Sequence, residues 1–321
     1  MTPGSPQPTP ISGFATADQL APWMVLLATI ALAFKGIVAK FAYAEGLTLS
    51  WILILRFGFA LPFFWLGARM MRAGNTEALL GRRELGACAL TSGLFFLATL
   101  CDFGALTLID AGLSRVILFT FPAFILLFAA IRRRAWPPLR DMAAFALTYC
   151  GLLLVVQPGT GLSTESWVGI LLALGSALSY ALFLTTSQSL TKALGSARFT
   201  ALSGSFTLLF VLPMPLVLGG LSPLPSVEGL ILAAIIALFC TVLPFFMLFE
   251  GIRRWGAEKA GLMTLSGPAI TVAAAWAFLG EVLTPLQWGG FVVVVAGVAI
   301  LQKTDRGLKT VFLSVMRRQR G

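Results

Sequence analysis

Residues 264–302 read TLSGPAITVAAAWAFLGEVLTPLQWGGFVVVVAGVAILQ, and Glu281 is the one charged side chain in that stretch. The runs on either side of it, Ala260–Gly280 and Val282–Gln302, are each long enough for the roughly 20 residues that a helix needs to cross a bilayer. Toward the N-terminus, Gly229–Phe249, Phe199–Val227 and Ser166–Thr191 are also free of charge. Further spans, more often interrupted, are predicted near Pro22–Tyr43, Ser50–Gly67, Leu85–Leu108, Gly112–Ile131 and Met142–Gln157. The runs are too long and too uniformly apolar for barrel strands, which alternate over about 10 residues. The whole chain agrees with a membrane class: 58% of its residues are hydrophobic and 11% charged, where about a quarter is charged in soluble domains. The expected fold is an all-α integral membrane protein with ten transmembrane helices.

The net charge of +10 is explained by orientation better than by nucleic acid. Lys and Arg cluster in alternate connections, at Arg69, Arg72, Arg82 and Arg83, then Arg132, Arg133, Arg134 and Arg140, then Lys192 and Arg198, then Arg253, Arg254 and Lys259, and in the C-terminal tail. The other connections carry acids such as Glu45, Asp110, Glu165, Glu228 and Glu281. By the positive-inside rule both termini are expected in the cytoplasm. Residues 1–20, rich in Pro, Ser and Thr and without Lys or Arg, lack the basic start of a secretory signal and read as a disordered tail. Residues 304–321 read as a basic cytoplasmic tail. Cys88, Cys101, Cys150 and Cys240 lie in apolar spans without paired spacing and read as packing residues. The absence of histidine removes the usual Ser–His nucleophile, His-based proton relays and most transition-metal sites. No cofactor and no metal are therefore expected.

A shift of 146 positions lays Pro122 of FTFPAF on Pro268 of TLSGPAI, and Gly151 of YCGLLLVV on Gly297 of VAGVAILQ, without a gap. Phe34 falls on Tyr180 at the same offset. Two repeats of five spans follow, residues 21–157 and 166–303. An odd number of spans places the second copy upside down, the inverted-repeat construction of many secondary transporters. Pro122 and Pro268, matched in spans 4 and 9, are expected to kink their helices and to mark a gating region; a kink that serves packing alone is the duller reading.

The stretch from Ser266 to Gln302, with its proline helix, LGEVLT turn and Gly-rich last span, resembles the drug/metabolite transporter superfamily, specifically its ten-span EamA-type members. The opening FKGIVAKFAYAEGLTLSWILILRFGFALPF is similar to the family's start, with a lysine in span 1 and an arginine in span 2 that match Lys40 and Arg56. The resemblance implies a bacterial inner-membrane exporter of small metabolites. The repeats differ at one position: the counterpart of Glu281 is Ala135 in RRRAWPP, which argues against a mechanism needing a symmetric pair of glutamates.

Five ionisable groups remain inside the predicted spans, Lys35, Lys40, Arg56, Asp102 and Arg115, all in the first repeat. A charge at a helix centre costs about 2.5–3.5 kcal/mol on insertion scales, so such groups face a bundle interior or a wet cavity. Lys35 lies about 20 Å into span 1 and Lys40 about 7 Å further, near enough to an interface to snorkel. The two are about 140° apart around the helix, so they do not share one cavity axis; depth favours Lys35 for the cavity, the resemblance favours Lys40. Arg56 and Arg115 read equally as partners of Asp102 or as ligands of an anionic substrate, and Asp102 as a partner or a proton carrier. Phe34, Tyr180 and Trp276, near the middle of spans 1, 6 and 9, are candidates for stacking on a substrate, although packing is the commoner role of such residues.

The function expected is a secondary transporter that exports a small carboxylate-bearing metabolite, such as an amino acid, by alternating access. Its partners are that small molecule and the bilayer, with coupling to protons or to exchange left open. An intramembrane enzyme is the contrasting reading, and it lacks a nucleophile with its base. A passive channel is the other, and paired proline helices in two repeats favour a moving machine over it.

Overall fold

The computed structural model describes residues 15–70, 81–133, 139–156, 163–217, 220–221, 224–255, 263–264, 266–297 and 299–300. They form α1 (Ala15–Ala44), α2 (Leu49–Met70), α3 (Arg82–Ala105), α4 (Ala111–Leu118), α5 (Phe121–Arg133), α6 (Leu139–Val156) and α7 (Thr164–Leu194). Then come α8 (Ser196–Val211), α9 (Met214–Val217), α10 (Val227–Ala237), a π-helical turn (Leu238–Val242), α11 (Leu243–Trp255), α12 (Gly267–Leu279) and α13 (Pro285–Gly297). Among the described residues there is no strand. Hydrocarbon offers no partner to a backbone N–H or C=O, so each segment satisfies its own polar groups as a helix.

Six helical segments are long and apolar enough to cross a membrane, and four shorter apolar helices, Ala111–Ile125, Met142–Val155, Gly267–Leu279 and Pro285–Gly297, fall in the predicted spans 4, 5, 9 and 10. Large apolar side chains face outward, among them Leu90, Leu171, Leu209, Phe239 and Trp276. The protein is an integral membrane protein whose outer surface suits lipid.

Local chemistry sets several helix ends. The Ser163 hydroxyl accepts from the Ser166 N–H at 3.1 Å and the Ser226 hydroxyl from the Gly229 N–H at 3.0 Å, each capping the helix that follows. Gly280 closes α12 at φ +68°, a conformation open to a residue without Cβ. The π turn precedes Pro244, whose ring lacks an N–H and opposes the carbonyl four residues back. Within it the Thr241 hydroxyl donates to the Ile236 carbonyl at 2.8 Å, five residues behind.

Three differences from the sequence reading concern helix ends. Pro122 and Pro268, expected to kink continuous helices, instead stand in the first turns of α5 and α12. A missing N–H costs nothing there, because the first turn of any helix leaves its N–H groups without intrahelical partners. Span 4 is thus divided into α4 and α5 at Phe119–Thr120. Residues Ala15–Leu20, expected within the N-terminal tail, begin α1. Residues 1–14, Ala135 and the tail 304–321 lie outside the described residues.

The helices pair across the two halves of the chain. α3 packs along α7, α1 packs along α10 and α11, and α2 lies against α8. α6 and α13 approach backbone to backbone: a Cβ at Gly151 would stand 2.7 Å from the Val294 nitrogen and 2.8 Å from the Gly290 oxygen. One at Gly297 would stand 2.9 Å from the Thr148 nitrogen and 3.0 Å from the Ala144 oxygen. Small residues permit such contact in lipid, where packing and not water exclusion drives association. The main core cluster holds Ile37, Ala42, Leu47, Phe103, Leu106, Ala111 and Ala274, so it fills the end of the bundle beyond the midpoint of α1.

Candidate functional site

That core stops at Lys35. Toward the start of α1 a cavity of ≈ 240 Å³ opens, bounded by Thr29, Leu32, Ala33 and Lys35 on α1, Arg56 on α2, Phe95, Ala98, Thr99 and Asp102 on α3, Arg115, Leu118, Phe119 and Phe121 where α4 gives way to α5, Ser176 and Tyr180 on α7, Phe245 and Leu248 on α11, and Thr264, Gly267 and Thr271 around the start of α12. Both halves of the chain contribute walls.

One end of this cavity is charged. The Lys35 ammonium, reaching across from α1, donates to the Asp102 carboxylate at 2.5 Å, with side chains 12% and 6% exposed. It also stands 5.4 Å from the centre of the Phe103 ring. Arg56, 4% exposed, donates from Nε to the Thr241 hydroxyl at 3.0 Å, and its guanidinium carbon lies 5.1 Å from the rings of Phe57 and of Phe103. Phe103 therefore presents its ring to two cations, whose charge its π face attracts. The Arg56 Nη1 is buried without a hydrogen-bond partner among the described residues. Arg115 from α4 completes the group and lies against α1 at Gly36, where a Cβ would stand 3.7 Å from its Nη2. Three cations thus meet one carboxylate.

The rest of the lining is aromatic or hydroxylic. Phe95, Phe119, Phe121, Tyr180 and Phe245 face the space. Tyr180 meets Phe121 edge-on at 5.1 Å and stacks on Phe183 at 6.0 Å. The hydroxyls of Thr29, Ser176 and Thr271 donate to the carbonyls of Val25, Ala98 and Ala33 at 2.7, 2.8 and 3.1 Å. The last two bonds tie α7 to α3 and α12 to α1. No cluster of side chains able to hold a metal occurs among the described residues. The charged and hydroxyl groups suit holding and orienting a small molecule, and no nucleophile paired with a base stands among the described lining residues.

Lys35, Arg56, Asp102, Arg115 and Tyr180, all expected from the sequence, are brought together here. Three other expected residues are not. Lys40, half-buried, is off the cavity, as the rotation of about 140° from Lys35 requires. Phe34 turns away to pack edge-on against Phe278 at 5.7 Å. Trp276 is 65% exposed on the outer face of α12. Asp102 takes Lys35 as its ion-pair partner, and Arg56 bonds to Thr241. Sequence reasoning missed Thr241, Phe103 and the aromatic walls; Pro244, breaking an otherwise regular run beside Thr241, was the available signal.

Glu281 lies at the opposite, closed end. Its carboxylate accepts from the Ala111 and Gly112 N–H groups at 2.9 and 3.0 Å, so the turn between α12 and α13 caps α4, which belongs to the other half of the chain.

Known proteins share this architecture. The family model described as "EamA-like transporter family" matches residues 19–157 and again residues 167–302. The "Uncharacterized transporter YcbK" of Bacillus subtilis (strain 168) is 30% identical over 285 residues, covering 85% of this chain and 90% of its own. The "Uncharacterized transporter sll1319" of Synechocystis is 26% identical over 308 residues, covering 87% and 92%. The "Threonine/homoserine exporter RhtA" of Escherichia coli (strain K12) is 26% identical over 179 residues, covering 56% and 58%. A solved structure described as "Crystal structure of protein" superposes with a TM-score of 0.59 over 89% of this chain and 97% of its own, at 15% identity, a likeness of fold alone.

Proposed function

This chain belongs to the EamA-like transporter family, and we propose that it exports a small carboxylate-bearing metabolite, a class that spans amino acids and organic acids, by alternating access of two inverted five-helix repeats. The observation that carries this reading is the cavity wall. Thr99, Asp102, Leu118 and Phe121 line it, and so do Phe245, Leu248, Thr264 and Gly267, which follow them at the same 146-residue offset that relates the prolines. Equivalent positions of two related units converge on one space when that space lies between the units, which is where transporters of this construction bind substrate.

The packing supports the same relation. α3 on α7 and α1 on α10–α11 are one contact repeated with the halves exchanged, and the contacts of Gly151 with Gly290 and Val294 correspond likewise to those of Gly297 with Ala144 and Thr148. With both termini in the cytoplasm of a bacterial cell, the packed end at Ile37–Leu47 is external and the cavity faces inward. The Glu281 cap on α4 would then be an external latch between the halves, broken when the cavity turns outward. The exporter named among the relatives supports outward movement. The packed external end disfavours a passive pore.

Reconstituted vesicles test the proposal. Preloaded with unlabelled compound, they should take up labelled compound in saturable counterflow within a panel of amino acids, organic acids and nucleosides. Silence across that panel would remove the reading.

A further inference from the structure

Resting on that transporter reading, we infer that the cavity selects an organic acid without an ammonium group, whose carboxylate meets Arg56 and Arg115 and whose apolar, ring-sized body lies against the aromatic walls. Charge makes the first argument. Lys35 and Asp102 already neutralise each other at 2.5 Å, which leaves two guanidinium groups unbalanced among the described lining residues. Arg56 keeps its Nη1 without an acceptor among the described residues although it is 4% exposed. Buried cations require a counter-charge, and a carboxylate held by guanidinium groups supplies it with directed hydrogen bonds.

An amino acid would supply the carboxylate but bring its own ammonium, so two cations would stay unbalanced where an organic acid leaves one. Its ammonium would find one carboxylate, Asp102, and taking it would strand Lys35 at 12% exposure. The hydroxyls of Thr29, Ser176 and Thr271 offer lone pairs and no negative charge. The lining makes the second argument: Phe95, Phe119, Phe121, Tyr180 and Phe245 wall the remainder of the ≈ 240 Å³ cavity away from its charged end. Rings of this number favour an apolar, preferably aromatic body in edge or offset contact.

Matched probes decide the matter. In counterflow, 3-phenylpropanoate, phenylalanine, phenethylamine and 3-phenylpropanamide present the same ring with an anion, a zwitterion, a cation and a neutral amide. The acid should compete for exchange at a concentration at least tenfold below that of each other probe. Arg56→Gln should reduce the ratio of acid to amide preference at least tenfold, and Arg56→Lys, which retains charge and loses the planar fork, should restore part of it. Each variant is compared only as monodisperse protein. Phenylalanine competing as well as the acid, or Arg56→Gln weakening acid and amide alike, would overturn the inference. Exchange of an amino acid or a nucleoside with no response to aryl acids would overturn it while sparing the transporter reading; exchange of nothing would defeat both.

Discussion

Replacing Asp102 by Asn removes the one carboxylate among the described residues lining the cavity and leaves the ammonium of Lys35 beside Arg56 and Arg115. The side chains of the pair are 12% and 6% exposed, so water screens the abandoned cation poorly. Breaking a buried pair from one side costs about 3–5 kcal/mol. Because Lys35 borders a cavity of ≈ 240 Å³, roomy enough for water beside polar groups, the low end, about 3 kcal/mol, is expected here. Lys35→Met, which keeps the length and apolar stem of the side chain, should cost a similar amount by leaving Asp102 without its ammonium. The double variant removes both charges together and should be destabilised by only about 1–2 kcal/mol, so the coupling energy lies well above the roughly 0.5 kcal/mol scatter of independent sites. Reversible unfolding of the four proteins in one detergent measures the cycle. Additive effects, with the double variant losing the sum of the two single losses, would refute the claim that the two charges are coupled as a unit.

Three further changes probe other contacts. Thr241→Val keeps the shape of the π turn but removes the acceptor of Arg56 Nε; it should lower unfolding stability by about 1–3 kcal/mol, and an unchanged stability would show that Arg56 does not depend on that turn. Glu281→Gln weakens the cap on the Ala111 and Gly112 N–H groups; a loss of about 0.3–1 kcal/mol for a charge at a helix N-terminus corresponds to roughly twofold to fivefold faster external thiol labelling of a cysteine placed at Ala274, in the packed end. Gly290→Leu puts a side chain where a Cβ alone would stand 2.7 Å from the Gly151 oxygen; it should separate α6 from α13 and lower the yield of folded protein, whereas Gly289→Leu, at an open position, should not.

What the sequence disclosed was position along each helix, and what it hid was rotation about it. Charge inside an apolar run singled out Lys35, Lys40, Arg56, Asp102 and Arg115, and all but Lys40, near enough to an interface to snorkel, line the cavity, because burying a charge leaves few alternatives to a cavity or an interface. The same depth argument chose Phe34 and Trp276 beside Tyr180, and only Tyr180 faces the space. An aromatic ring is at ease in lipid, in a core or against a substrate, so its depth does not select among them. The repeat offset located both breaks at Pro122 and Pro268 but not their form, since a proline suits the first turn of a new helix as well as a kink in an old one. Thr241 escaped notice because a hydroxyl in a membrane helix ordinarily bonds within its own turn, and its approach to Arg56 exists only once α2 lies beside the π turn.

The central claim is that the space between the halves opens to each side of the membrane in turn. Thr99 lines it and is 5% exposed. In a chain with Cys88, Cys101, Cys150 and Cys240 replaced, Thr99→Cys should react with a membrane-impermeant thiol reagent applied from either face of oriented vesicles during exchange, and a transported compound should slow both reactions. Labelling confined to one face under every exchange condition would contradict the claim.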